Sequence, residues 1–246
     1  MSLNFNSRPV LQSLALGVAC ALLGAAGGWW WQSRSIGSAD KAAIEQVVHD
    51  YLLEHPEVLP DAMQALQRKE NAKQLAAIRG DVEKVWPGQV LGNPNGKVTL
   101  VEFTDFACTY CRHSVEDVEA LIASNPQLKV VIRQLPIISP LSPDAARMGL
   151  AAAEQGKYAA FHKAMFMAGQ PDKATIDAVA RSVGIDLARA QKTMADPKVE
   201  EELARNIDLA RQLGFNGTPS WVVGDTLLSG AVGRDKLEKA IAESKS

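Results

Sequence analysis

The chain has 246 residues, 47% of them hydrophobic, with 26 basic against 28 acidic side chains and a formal net charge of -2. That length can bury one sizeable core with an appendage, and the charge balance supplies no basic face for nucleic acid. Three cysteines are too few for a small fold stapled by disulfides.

The first element is the apolar run "PVLQSLALGVACALLGAAGGWWW", Pro9 to Trp31, with no charged residue between Arg8 and Arg34. It is long enough to cross a bilayer as a helix, and Trp29, Trp30 and Trp31 suit an interfacial aromatic belt. Residues 9–31 are therefore expected to tether the chain to the inner membrane. The other reading is a secretory signal peptide cleaved near Gly37 to Ala39. Gly17-Val18-Ala19 is a poor lipidation signal for Cys20. On either reading the remainder is exported, into a compartment where disulfides persist.

Residues 40–86 read as a helical stalk. Ile44, Val47, Val48, Tyr51 and Leu52 follow the spacing of an amphipathic helix, Pro56 and Pro60 interrupt it, and Leu75, Ile78, Val82 and Val85 continue the pattern. The stalk is either a spacer packed on its own domain or an oligomerisation segment whose stripe meets copies of itself.

The turn-rich "LGNPNGK", Leu91 to Lys97, joins two extended runs. "KVTLVEFTDF" predicts a strand buried on both faces. A helix follows from the cysteines through Val115, Val118 and Leu121 toward Asn125-Pro126, and "LKVVIRQLPII", Leu128 to Ile138, is a second buried strand. From Ser142 to about Leu213 the pattern is helical. Ser142-Pro143 and Asp196-Pro197 each set a capping residue before a first-turn proline, and Ile176, Val179, Ala180 and Val183 mark one apolar face. Two strands joined at Gly224-Asp225 and a helix from Arg234 to Glu243 close the chain. This order is an α/β layout with one greatly enlarged crossover.

Cys108 and Cys111 lie three apart where the first helix begins, so they share a face and are close enough for a disulfide. The pair is half a metal site, a static disulfide or a working redox couple. A second CxxC is missing, and His49, His55, His113 and His162 are scattered, so neither a metal nor an organic cofactor is expected. At a helix amino end, unpaired N–H groups and the positive end of the dipole stabilise a thiolate, which makes Cys108 the nucleophile and the deeper Cys111 its partner. Glu102 shares a strand face with Val98 and Leu100 and is expected to be buried. A lone buried carboxylate has a raised pKa and is able to shuttle the proton of the deeper thiol.

"VEFTDFACTYC" before a helix, with "GTPSWVV" late in the chain, resembles the thioredoxin fold of the DsbA family of exported thiol–disulfide oxidoreductases. "LPIISPLSPDAARMGLAAAEQGKYAAFHKAMF" and "VVHDYLLEHPEVLPDAMQALQ" resemble the helical insertion and amino-terminal segment of its ScsC and Com1-type branch. The resemblance implies three segments: an anchor or signal at 1–39, a stalk at 40–86, and a thioredoxin-fold domain at 87–246 with an insertion at about 142–213. It implies Cys108 as the attacking sulfur, Cys111 as its disulfide partner and Glu102 as the family's buried acid. It also implies a cis Pro219 after Thr218, whose loop pairs with an extended protein substrate carrying thiols or disulfides. Thr109 and Tyr110 sit where many members carry a proline after the first cysteine. Since these residues help to set redox poise, strongly oxidising character does not carry over. The expected activity is a periplasmic, DsbA-like oxidase working with a DsbB-like or DsbD-like membrane redox partner. The alternatives are an oligomeric isomerase or reductase of the ScsC type linked to copper tolerance, and a Cu(I)-binding protein using its two thiolates.

Overall fold

The computed structural model describes residues 23–26, 28–30 and 38–244. Cys20 and most of the expected anchor at 9–31 fall outside them. Among the described residues no helix is long and apolar enough to cross a membrane. The chain divides into two compact units, 1–64 and 65–246.

In the first unit, α1 spans Ser38–Glu54, and α2 (Val58–Ala76) begins there. Pro56 separates the two helices. Pro60, expected to interrupt, falls instead in the first turn of α2, where its missing N–H has no partner to lose. The predicted α1 stripe is exposed: Ile44, Val47, Val48 and Tyr51 each present half or more of their surface.

In the second unit the next apolar run of residues 65–86 is core. Leu75 of α2 and Val82 of α3 (Arg79–Glu83) are fully buried against Val101, Phe103, Val131 and Leu209. A five-stranded sheet follows, ordered β1-β3-β2-β4-β5. Its strands are β1 (Val90–Gly92), β2 (Val98–Thr104), β3 (Leu128–Gln134), β4 (Ser220–Val223) and β5 (Thr226–Ser229). β2 and β3 run parallel, while the other neighbours pair antiparallel. Helix α4 (Thr109–Ser124) makes the β2–β3 crossover. β4 and β5 form a hairpin on Gly224-Asp225, with Gly224 in the left-handed region at φ 53°.

Both central strands stop short of prediction, for one reason. β2 ends at Thr104 because Asp105 turns the chain, its Oδ1 accepting from Ala107 N–H and its carbonyl from Cys108 N–H (both 2.9 Å). β3 ends at Gln134 because Pro136 has no N–H, and the Ile137 and Ile138 N–H groups turn to Asp105 Oδ2 (2.8 and 2.9 Å).

Five helices fill the enlarged crossover: α5 (Ser142–Glu154), α6 (Tyr158–Ala168), α7 (Lys173–Ser182), α8 (Leu187–Met194) and α9 (Pro197–Gln212). Asp172, Asp186 and Asp196 each cap a helix by accepting a backbone N–H in its first turn. Ser142 does not cap as expected; it already lies inside α5, its hydroxyl accepting from Ser139 N–H. Helix α10 (Arg234–Glu243) packs with α4 on the sheet face carrying Leu100 and Ile132, while α9 covers the face of Val101 and Phe103.

Arg133 of β3 is 1% exposed. Its guanidinium donates to Glu202 Oε1 (2.6 Å), Asn206 Oδ1 (2.9 Å) and the carbonyls of Asp81, Val82 and Lys84. It joins α9 to the carboxyl end of α3 on the sheet face that carries Val131 and Phe103. Breaking a buried pair by deleting one partner costs roughly 3–5 kcal/mol. Arg133→Ala should therefore lose most of the stability of a marginal domain in urea unfolding, and Glu202→Gln, which keeps an acceptor, should lose less. Equal and small losses for both would show that the pair holds nothing together.

Candidate active site

Cys108 is the N-cap residue of α4, at φ -84° and ψ 117°. The Cys111 backbone N–H donates to its Sγ at 3.3 Å, and its own S–H donates to the Thr218 carbonyl at 3.2 Å. Both cysteines are buried free thiols. The Thr218–Pro219 peptide is cis. Thr218, from the loop before β4, thus meets the first cysteine across the end of the sheet.

The two sulfurs are driven apart in acidity. The Cys111 thiol donates to Cys108, and Thr218 with the backbone N–H groups of Cys111 and Tyr110 adds to it; against partial burial they pull Cys108 down to about 6. Cys111 is pushed well above the ordinary thiol range, by burial first, then by its donation to Cys108 and the charge of Glu102. One sulfur is therefore a thiolate at neutral pH and its partner holds a proton.

Glu102 lies behind them on β2, 2% exposed, between Ile132 on one neighbouring strand and Trp221 on the other. Burial pushes its carboxyl up to about 8, with Thr104 opposing and Cys108 reinforcing. The Thr104 and Thr218 hydroxyls are buried beside these groups, Thr104 pulling Glu102 down and Thr218 pulling Cys108 down.

Of the predicted residues, Cys108, Cys111, Glu102, Thr218 and Pro219 are all buried, with Thr218 and Cys111 hydrogen-bonded to Cys108 and Glu102 acting on both sulfurs, and Thr109 and Tyr110 are exposed at the start of α4. His113 is exposed. Three features escaped the sequence reading. Asp105 organises the turn into Cys108. Tyr158 accepts from Gln134 Nε2 at 2.9 Å on the Glu102 side of the sheet. His162 lies among the rings of Phe106, Tyr158 and Phe166, where burial pulls it down to about 4 and keeps it neutral. An aspartate three residues before a cysteine at a strand end is a turn signal that would have found the first.

A DSBA-like thioredoxin domain matches residues 99–242, more than half of the chain. The chain belongs to this DsbA-like family of thiol–disulfide oxidoreductases. Residues 40–73 match the N-terminal domain of the copper resistance protein ScsC. A thioredoxin-like oxidoreductase from Silicibacter pomeroyi is 41% identical, with a TM-score of 0.65, covering 68% of this chain and 97% of its own. The thiol-disulfide exchange protein alpha-DsbA2 of Wolbachia pipientis is 26% identical, with a TM-score of 0.67, over 72% and 97% of the two chains. A linker-deleted Proteus mirabilis ScsC is 29% identical, with a TM-score of 0.64, and covers 85% of this DsbA-like chain and 96% of its own. Among curated relatives, the Na(+)/H(+) antiporter NhaA 3 of Salinispora tropica is 30% identical over 62% of this chain, a stretch that spans 24% of the antiporter.

The acidities predict opposed pH effects on the reduced protein. Cys108, depressed to about 6 from 9.0, contributes stability that is complete above pH 9 and lost as pH falls through 6. Glu102, raised to about 8 from 4.5, contributes stability that is complete below pH 4.5 and lost as pH rises through 8. Glu102→Gln should therefore remove the decline between those two values, read as urea midpoints of reduced protein across pH. A profile unchanged by the substitution would mean that Glu102 does not titrate in this window.

Proposed function

We propose that this chain exchanges disulfides with extended protein segments in the periplasm, through a mixed disulfide at Cys108. The observation that carries the reading is the meeting of a depressed thiol at the α4 N-cap with the Thr218 carbonyl, while Cys111 stays buried behind it. In the oxidising direction a substrate thiolate attacks Cys108 of the Cys108–Cys111 disulfide, and Cys111 leaves as the thiolate. Glu102, neutral at this point, delivers its proton to Cys111. A second substrate thiolate then attacks the substrate sulfur of the mixed disulfide and releases Cys108, so two substrate thiols become one disulfide and the enzyme pair is reduced. In reverse, Cys108 attacks a substrate disulfide, and Cys111, losing its proton to Glu102, resolves it.

Pro219 and Thr218 would align the substrate backbone, and exposed Thr109 and Tyr110 would face it. A DsbB-like or DsbD-like membrane protein would reset the couple. Residues 9–31, free of charge, would hold the chain at the membrane or direct its export. The oxidase direction is the one the DsbA resemblance favours, with Thr109 and Tyr110 left to set how oxidising the couple is. The exposed apolar stripe of α1 and the ScsC-type match over 40–73 favour a second one, an assembled isomerase in which several sites share a particle.

Cys111→Ser should accumulate a stable mixed disulfide with substrate on a non-reducing gel, and Cys108→Ser should form none. Any adduct surviving Cys108→Ser would remove Cys108 as the nucleophile. Deleting 40–64 should convert an oligomer to a monomer by light scattering and lower scrambled-disulfide refolding more than dithiol oxidation. A chain that is monomeric with and without this segment would leave only the oxidase reading.

A further inference from the structure

Asp105 is 1% exposed, and its hydrogen bonds all go to backbone. Oδ1 accepts from Ala107 N–H at 2.9 Å, closing an Asx turn, and the Asp105 carbonyl accepts from Cys108 N–H at 2.9 Å. These two bonds fix the path that sets Cys108 at the N-cap. Oδ2 reaches the loop after β3 and accepts from Ile137 and Ile138 N–H at 2.8 and 2.9 Å. Those two isoleucines leave 44% and 49% of their surface exposed. One carboxylate therefore joins the nucleophile's turn to the exposed apolar loop after β3. No other side chain hydrogen-bonds the backbone of both segments among the described residues.

We propose that Asp105 is a positioning residue for thiol–disulfide exchange, holding Cys108 in the aim of the α4 amino end and Ile137–Ile138 beside it. The proposal rests on the thiol–disulfide reading above. The two side-chain oxygens of Asp105 have lone pairs enough for the three N–H donors they meet. Without it Ala107 and Ile138 lose their acceptor, and the turn is free to rotate Sγ away from the Cys111 N–H. An asparagine keeps one acceptor oxygen, so it serves one segment and sets an N–H₂ group against the other.

The test uses the full reduced chain and its Asp105→Ala and Asp105→Asn variants. Iodoacetamide alkylation of Cys108 is followed against pH, with amide exchange at Ala107 and Ile138 and the rate of exchange with a disulfide-bonded peptide. In D105A the alkylation midpoint should rise from about 6, each unit of rise slowing alkylation about tenfold at low pH. Both amides should open and peptide exchange should slow. In D105N one amide should open and the other stay protected. A folded D105A that keeps the wild-type midpoint overturns the proposal, even if its amides open, because the carboxylate is then only structural. If D105A does not fold, D105N decides alone: both amides protected and the midpoint unchanged overturn it. Failure of the exchange reading itself shows separately, as wild-type protein that alkylates normally but does not react with the peptide disulfide.

Discussion

A thiolate in a nearly closed pocket survives only if its donors are in place before it ionises, because water cannot reorganise around it. At Cys108 those donors are the Cys111 thiol and the N–H groups of Tyr110 and Cys111, all on the first turn of α4. Their aim is fixed by the rest of the domain. Val115, Val118 and Leu121 bury one face of α4, β2 delivers its start, and Asp105 sets the turn between them. Thr218 approaches from β4 because β2 and β4 are paired, with Phe103 opposite Ser220. The sheet is thus the frame on which two loops from distant parts of the chain face one sulfur.

The same pocket separates the roles of the two cysteines. Burial costs a charged group and not a neutral one, so the deeper sulfur holds its proton while the shallower one gives it up. Glu102, raised by that burial, sits in the neutral range where accepting and returning a proton are both easy. In the reducing direction a proton passing from Cys111 to Glu102 would make a thiolate able to attack and would neutralise a carboxylate that burial and the negative sulfur beside it disfavour. On the proposed reading, electron and proton movements would be coupled by the proximity of these three groups.

Local signals carried much of this. The β-branched run at 98–104, the CxxC at the helix start and the paired turn at Gly224-Asp225 are read within a few residues of themselves. Glu102 was legible too, because alternation on a strand assigns a face. Where the reading failed, the deciding contact was remote. The turn after β3 combines a local signal, Pro136, with an aspartate 32 positions before Ile137, and the burial of Leu75 and Val82 depends on their meeting β2 and β3. Pro60 failed differently, since a proline is tolerated in a first turn and breaks a helix only deeper in.

Arg133 shows how a remote contact still leaves a trace. Past Lys129 at its start, the charge of Arg133 inside "LKVVIRQ" is costly wherever that strand is buried on both faces, so some distant acceptor has to exist. The chain supplies it 69 residues on, as Glu202, with Asn206 one turn further along the same helix. Three carbonyls at the end of α3 complete the set. The requirement was visible in β3, but its solution was not, because i, i+4 spacing on α9 fits any helix face. The exposed stripe of α1 poses the same kind of question: among the described residues Ile44, Val47, Val48 and Tyr51 keep half or more of their surface uncovered, and their helical spacing does not name what covers it.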